Sequence, residues 1–238
     1  MDIITLSIIF VSAIFIGVFA VIMGGTLFLS FPLFQILFPE MSLAAIIGNI
    51  KLGSIFRNAT ALIPHYRKID TSVLWLAPIL CCGSIIGSWL VISVSLAIVP
   101  VVLVLGLLVH EYGKRLRLPN YLFWGVAFLI GFYGGIFGAG IMLLILSLLS
   151  LNETTLVDAR VNALLLELLV SAVAVVTFWH SNLINWPVAI IWIAGGMVGG
   201  FAGGLLITYT GRWTQTTQNW LVRGSFLLAL TVAIWRIF

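Results

Sequence analysis

The sequence predicts an all-α integral membrane protein. It reads as about eight transmembrane helices in two four-helix repeats, with a glycine-broken first helix in each repeat. Three observations lead there. Hydrophobic residues make up 62% of the 238 positions and charged residues 8%, too few charges to cover a water-soluble surface. The apolar residues gather in runs of about 20 or more, the length of a bilayer crossing. Finally, the stretch Ile130-Gly131-Phe132-Tyr133-Gly134-Gly135-Ile136-Phe137-Gly138-Ala139-Gly140 has a weaker copy 114 residues earlier, Ile16-Gly17-Val18-Phe19-Ala20-Val21-Ile22-Met23-Gly24-Gly25-Thr26. Each glycine costs a helix about 1 kcal/mol relative to Ala. In a bilayer, backbone freed from helical order has to line a cavity or find partners in the protein.

Taken in order, span 1 covers about Ile3 to Phe38. At ~1.5 Å per residue it is too long for one straight crossing. Gly24-Gly25 and Pro32 are where it breaks or bends. Span 2 runs from about Ser42 to Pro64, span 3 from Val73 to Val94 and span 4 from Leu96 to His110. Residues 1–112 form the first repeat and 113–120 a basic cytoplasmic linker ending in Pro119-Asn120. The second repeat, 121–238, holds span 5 (about Tyr121 to Leu151), span 6 (Thr155 to His180), span 7 (Trp186 to Tyr209) and span 8 (Asn219 to Phe238). The duplication persists beyond the glycines with small shifts of offset. Asn49 aligns with Asn162, Ser54 with Glu167, Asn58 with Ser171, and Ile69-Asp70 with Ile184-Asn185.

The basic residues sit in short loops, so the net charge of +4 reflects topology and no nucleic-acid partner is expected. The positive-inside rule places Arg67/Lys68 and Lys114/Arg115/Arg117 in the cytoplasm. Counting each glycine segment as one crossing puts both termini inside and makes the halves parallel repeats. Reading span 1 as a hairpin would make them inverted, and Arg212 would then lie inside. The eight-span reading is preferred, because the piece after Gly25 is short for a crossing. The first twenty residues lack a positive n-region and are read as a membrane helix, not a signal peptide. Cys81 and Cys82 are adjacent and apolar in context, with no disulfide framework or metal-ligand spacing. Trp179, Trp186 and Trp213 suit interfacial belts. Gly83/Gly87 and Gly199/Gly203 are GxxxG patterns that suit close helix contacts.

Polar residues inside spans are costly and mark function or pairing. Lys51, Ser54 and Asn58 are spaced i, i+3, i+7 and share a face of span 2, with Arg57 beside them. Glu167 and Ser171 occupy the equivalent places on span 6. Lys51 and Glu167 are expected to pair, either to lock the halves or to work together, Lys51 attracting an anion and Glu167 taking a proton. Asn49 and Asn162 can donate hydrogen bonds to an oxyanion. His65, His110 and His180 sit at span ends, where anchoring is expected. No HExxH, GxSxG or paired aspartates appear in the spans, so no catalytic residue, metal or cofactor is expected. Neither rings of like charge nor repeated filter carbonyls are present to favour a channel.

With the duplicated unit, the Gly131–Gly140 motif and Ile184-Asn185-Trp186 after a polar loop, the chain resembles the TauE/SafE sulfite exporter family, also called the toluenesulfonate uptake permease family. The first half keeps fewer glycines, Gly24-Gly25-Thr26, than the family's usual pattern. The resemblance implies a multi-pass permease of a bacterial-type inner membrane, moving small sulfur-containing anions such as sulfite or organosulfonates. A homodimer is allowed. Broken helices would turn N–H groups and positive dipole ends toward such a ligand. The expected substrate site is Gly24, Gly25, Asn49, Lys51, Gly138, Gly140 and Asn162, with Glu167 for proton coupling.

Overall fold

The computed structural model describes residues 2–24, 27–93, 120–138, 140–149 and 156–210, together with Gly224 and Thr231. Span 4, most of the 113–120 linker, nearly all of span 8, Gly25, Arg212 and Trp213 lie outside the described residues. Within them the regular structure is helical. The helices are α1 (Ile3–Met23), α2 (Leu27–Leu37), α3 (Leu43–Leu62), α4 (Ala77–Ile92), α5 (Asn120–Ile136), α6 (Ile141–Leu149), α7 (Leu156–His180) and α8 (Trp186–Thr210). Two 3₁₀ turns, Ile63–Lys68 and Thr71–Leu76, join α3 to α4. Among the described residues, four stretches are long and apolar enough to cross a membrane: Ile3–Ile22, Thr71–Ile92, Val157–His180 and Trp186–Tyr209. The 20 residues of α3 also span about 30 Å, but Lys51 and Arg57 make it less apolar.

Both glycine segments break where a glycine enters the left-handed region. Helix α1 ends at Gly24, with φ 80°, whose N–H donates to the Ala20 carbonyl at 2.7 Å. Helix α5 ends before Gly138, with φ 71°, and both Phe137 and Gly138 donate to the Tyr133 carbonyl at 3.0 Å. A left-handed residue after a helix satisfies its last carbonyls and redirects the chain. Gly140 is also left-handed, and its carbonyl accepts from Leu143 at 2.9 Å as α6 begins.

Contacts between helices give their directions. Asn49, near the start of α3, accepts a hydrogen bond from the Asn185 N–H at 3.0 Å. The start of α3, the end of α7 and the start of α8 therefore share one face of the molecule. Asn162, near the start of α7, accepts from the Asp70 N–H at 3.0 Å. The start of α7 and the α3–α4 loop share the opposite face. Helix α1 runs parallel to α8, with Phe10 and Ala13 at Gly195, Gly17 at Gly199 and Val21 at Gly203, so it enters from the first face. Helix α5 runs parallel to α4, with Leu80 at Gly131 and Ser84 at Gly135. It enters from the second face, where Trp75 stacks on Phe123 and meets Trp124 edge-on.

From Gly24, α2 returns toward the face where α3 starts. From Gly138, α6 returns toward the other face, where Leu148 and Leu149 share a cavity wall with Asp70 and Ser72. The glycine segments are thus hairpins entering from opposite faces. This corrects the expected parallel arrangement with single crossings. The left-handed glycines turn the helix back, where a kink would have let it continue.

Two glycine seams hold the assembly. A Cβ on Gly83, Gly87, Gly131 or Gly135 would collide with the backbone of the facing helix in the α4–α5 pair. Gly195 and Gly199 do the same between α1 and α8, where a Cβ on Gly17 would press on Gly199 at 3.1 Å and one on Gly203 on Val21 at 2.9 Å. Without hydrophobic drive between helices in lipid, close backbone approach supplies the packing. Outside the seams, large apolar residues such as Phe15, Ile86, Trp89, Leu129, Ile190 and Phe201 are exposed, as a lipid-facing surface requires.

Candidate functional site

The two chain reversals meet in the interior. A Cβ on Gly24 would touch Leu143 Cγ of α6 at 2.8 Å, and one on Gly138 would lie 3.7 Å from Leu27 Cδ1 of α2. Phe31 of α2 and Phe137 seal the contact edge to face, with centroids 5.2 Å apart. Each break therefore touches the returning helix of the other hairpin.

Lys51 reaches this point from α3. It is 2% exposed, and its ammonium donates to the Gly134 carbonyl. That carbonyl is one of the last four of α5, which lack partners within the helix. A cation there also complements the negative end of the helix dipole. The position of a Gly138 Cβ lies 2.8 Å from Lys51 Nζ, so only glycine leaves the ammonium room. Among the described residues Lys51 forms no salt bridge with a carboxylate. An unpaired ammonium this deep is expensive, which makes it a marker of function.

Glu167 does not take Lys51 as its partner, contrary to expectation. Its Oε1 accepts from Arg57 Nη2 at 3.0 Å, in a pair 3% and 8% exposed at the side chains. Arg57 Nε and Nη2 also donate to Asn58 Oδ1 at 2.9 and 2.7 Å. The antiparallel register of α3 and α7 decides the choice. It sets Glu167 beside Arg57, while Lys51 is drawn toward the end of α5. Arg57 is the residue that sequence reasoning undervalued. An arginine inside an apolar span was the available signal, but the i, i+3, i+7 stripe passes through its neighbour Asn58.

Asn49 and Asn162 are placed at the two loops. Asn49 donates to the carbonyls of Ala45 (2.7 Å) and Leu183 (3.3 Å) while accepting from Asn185. Asn162 accepts from Asp70. The side-chain amide of Asn49 is committed to backbone at a loop, and the oxygen of Asn162 likewise. The structure brings together Lys51, Gly24, Gly138 and Gly140 but not the asparagines. His65, in the 3₁₀ turn after α3, lies 2.7 Å from the Gly204 carbonyl and ties the loop to α8.

A sequence model of the family described as sulfite exporter TauE/SafE matches residues 9–235. No curated protein and no solved structure matches the chain.

Proposed function

Because the chain belongs to the sulfite exporter TauE/SafE family, a family of membrane transporters, we propose that it is a secondary carrier. It moves a small sulfur-containing anion, sulfite or an organosulfonate, across a bacterial-type inner membrane by alternating access. The observation that carries this reading is Lys51, a buried cation without a carboxylate partner among the described residues, at the place where both chain reversals meet. An arriving anion would draw the ammonium away from the Gly134 carbonyl. The starts of α2 and α6 lie at the same place, and first-turn N–H groups with the positive dipole end suit an oxyanion.

Two inverted copies, each a hairpin followed by crossing helices, are the architecture in which carriers hold substrate near the bilayer midplane. The directions of the hairpins support that reading here. So do the cross-pairings α1 with α8 and α4 with α5, which are equivalent if the halves are related by duplication. Rocking of one copy against the other would expose the site to each side in turn. An inside-negative potential favours expulsion of a monovalent anion by about 2.3 kcal/mol per 100 mV.

Labelled sulfite flux in proteoliposomes of the purified protein tests the reading. Saturable flux is expected, and Gly138→Val should abolish it while the protein still folds. A valine there must adopt a strained positive φ and displaces Lys51. Normal flux in the variant would remove the broken-helix site.

A further inference from the structure

We propose that Arg57 coordinates the transported anion and that Glu167 is its built-in competitor, so that anion entry is coupled to protonation of Glu167 one to one. The inference rests on the carrier reading above. Helix α3 carries two buried cations, Arg57 paired with the Glu167 carboxylate of α7 and Lys51 turned to the Gly134 carbonyl. The charge of Glu167 acts on both. Replacing the Glu167 carboxylate on Arg57 by the transported anion, with a proton taken up by Glu167, leaves the charge balance of the contact unchanged.

The hydrogen bonds say where that anion goes. Among the described residues, Arg57 Nη1 and Asn58 Nδ2 are buried with no partner, although the other edge of the guanidinium is filled. Both atoms only donate, so what they lack is an acceptor. Beside Arg57 lies a small void lined by Gly17, Gly53, Ser54, Trp192 and Gly196. It has room for one water molecule at most. An oxyanion is therefore seated on Arg57 only in exchange for the carboxylate.

The exchange balances as follows. Glu167 takes a proton from water on the side the site faces, and the neutral acid leaves Arg57. The planar guanidinium fork then binds two oxygens of the anion. On release of the anion the proton departs and the ion pair re-forms. Other ionisable groups near α7 are few. Helix α5 brings Tyr133, α4 carries Cys81 and Cys82, and α6 carries none. The α3–α4 loop brings His65, Arg67, Lys68 and Asp70 beside the first turns of α7, where Asp158 and Arg160 also lie. None of these contacts Arg57 or Glu167 through a hydrogen bond.

The test uses purified full-length protein and two probes, sulfite and methanesulfonate, the latter keeping its charge across the pH range. Wild-type binding of methanesulfonate should weaken as pH rises, by up to about tenfold per pH unit. One proton should be taken up per anion bound, read with a pH dye. Glu167→Gln should bind more tightly and without pH dependence. Arg57→Lys, which keeps the charge but loses the fork, should bind at least about tenfold more weakly. Binding by the wild type without proton uptake, or a Glu167→Gln variant that keeps the wild-type pH slope, overturns the inference alone. A wild type that binds neither probe overturns the carrier reading and the inference with it. The proton count needs only the wild type, so it decides the matter even where a variant does not fold.

Discussion

At the scale of the residue, Lys51 and Glu167 differ in what they are for. Glu167 has a cation within 3.0 Å, and removing either member of such a buried pair costs about 3–5 kcal/mol by stranding the other. Among the described residues Lys51 has only a carbonyl for a partner, so its removal strands no charge there. Lys51→Met is therefore expected to fold with unchanged or higher thermal stability while sulfite flux falls at least about tenfold. Retained flux in that variant would show Lys51 to be only a helix cap. That Lys51 and Glu167 are buried was legible in the sequence, because charges in apolar spans are rare and must turn inward. Which cation the carboxylate selects was not. That depends on the axial register between α3 and α7, and a period of 3.6 residues within each helix says nothing of it.

At the scale of the element, the glycine patterns were legible as close contacts but their partners were not. Gly83/Gly87 on α4 found Gly131 and Gly135 on α5, and the reading of the latter two as part of a broken stretch had hidden their role in packing. Gly135→Val should push its helix off the Ser84–Ser88 backbone and destabilise the protein by about 2 kcal/mol or more, seen as a fall in melting temperature in detergent. An unchanged melting temperature would mean the seam contributes little. The asparagine pairs show the opposite case. Asn49 with Asn185 and Asn162 with Asp70 are the same contact at two faces, and the sequence alignment had matched these very positions. Their role was missed because an asparagine in a span reads equally well as a ligand or as a loop anchor.

A further device lies at the loop that Asn162 holds. Asp70 accepts hydrogen bonds from the Ser72 hydroxyl (2.7 Å) and N–H (2.8 Å), and these hold its carboxyl below the usual value of 3.8. A carboxyl with a lowered folded value adds stability above the ordinary one and loses it as pH falls through the folded one. Asp70→Ala should therefore melt below the wild type at neutral pH, and the difference should vanish as the pH drops well under 3.8. A difference independent of pH would assign the effect to something other than the ionised cap.

At the scale of the whole molecule, the direction of the two hairpins is the feature that the sequence left undetermined. Length alone could not separate a bent crossing from a hairpin, because both use the same apolar residues. The backbone at Gly24 and Gly138 decides it. Its consequence can be measured from outside the protein. Ile4 in α1, Ser181 after α7 and Lys68 after α3 are all exposed. In the eight-span parallel arrangement all three fall on one side of the membrane. In the structure Ile4 and Ser181 share a face and Lys68 lies on the other. With Cys81 and Cys82 replaced by alanine, single cysteines at positions 4, 68 and 181 can be labelled by an impermeant maleimide in vesicles of known orientation. Positions 4 and 181 should react from one side and position 68 from the other, with Lys68 cytoplasmic by the positive-inside rule. Reaction of all three from the same side would sink the hairpin topology, and with it the proposed inverted copies and alternating access. The proposed carrier mechanism and the fold thus stand on a common geometric point. A hairpin that turned through the membrane would carry α2 and α6 past each other, and Lys51 would have no helix end to cap.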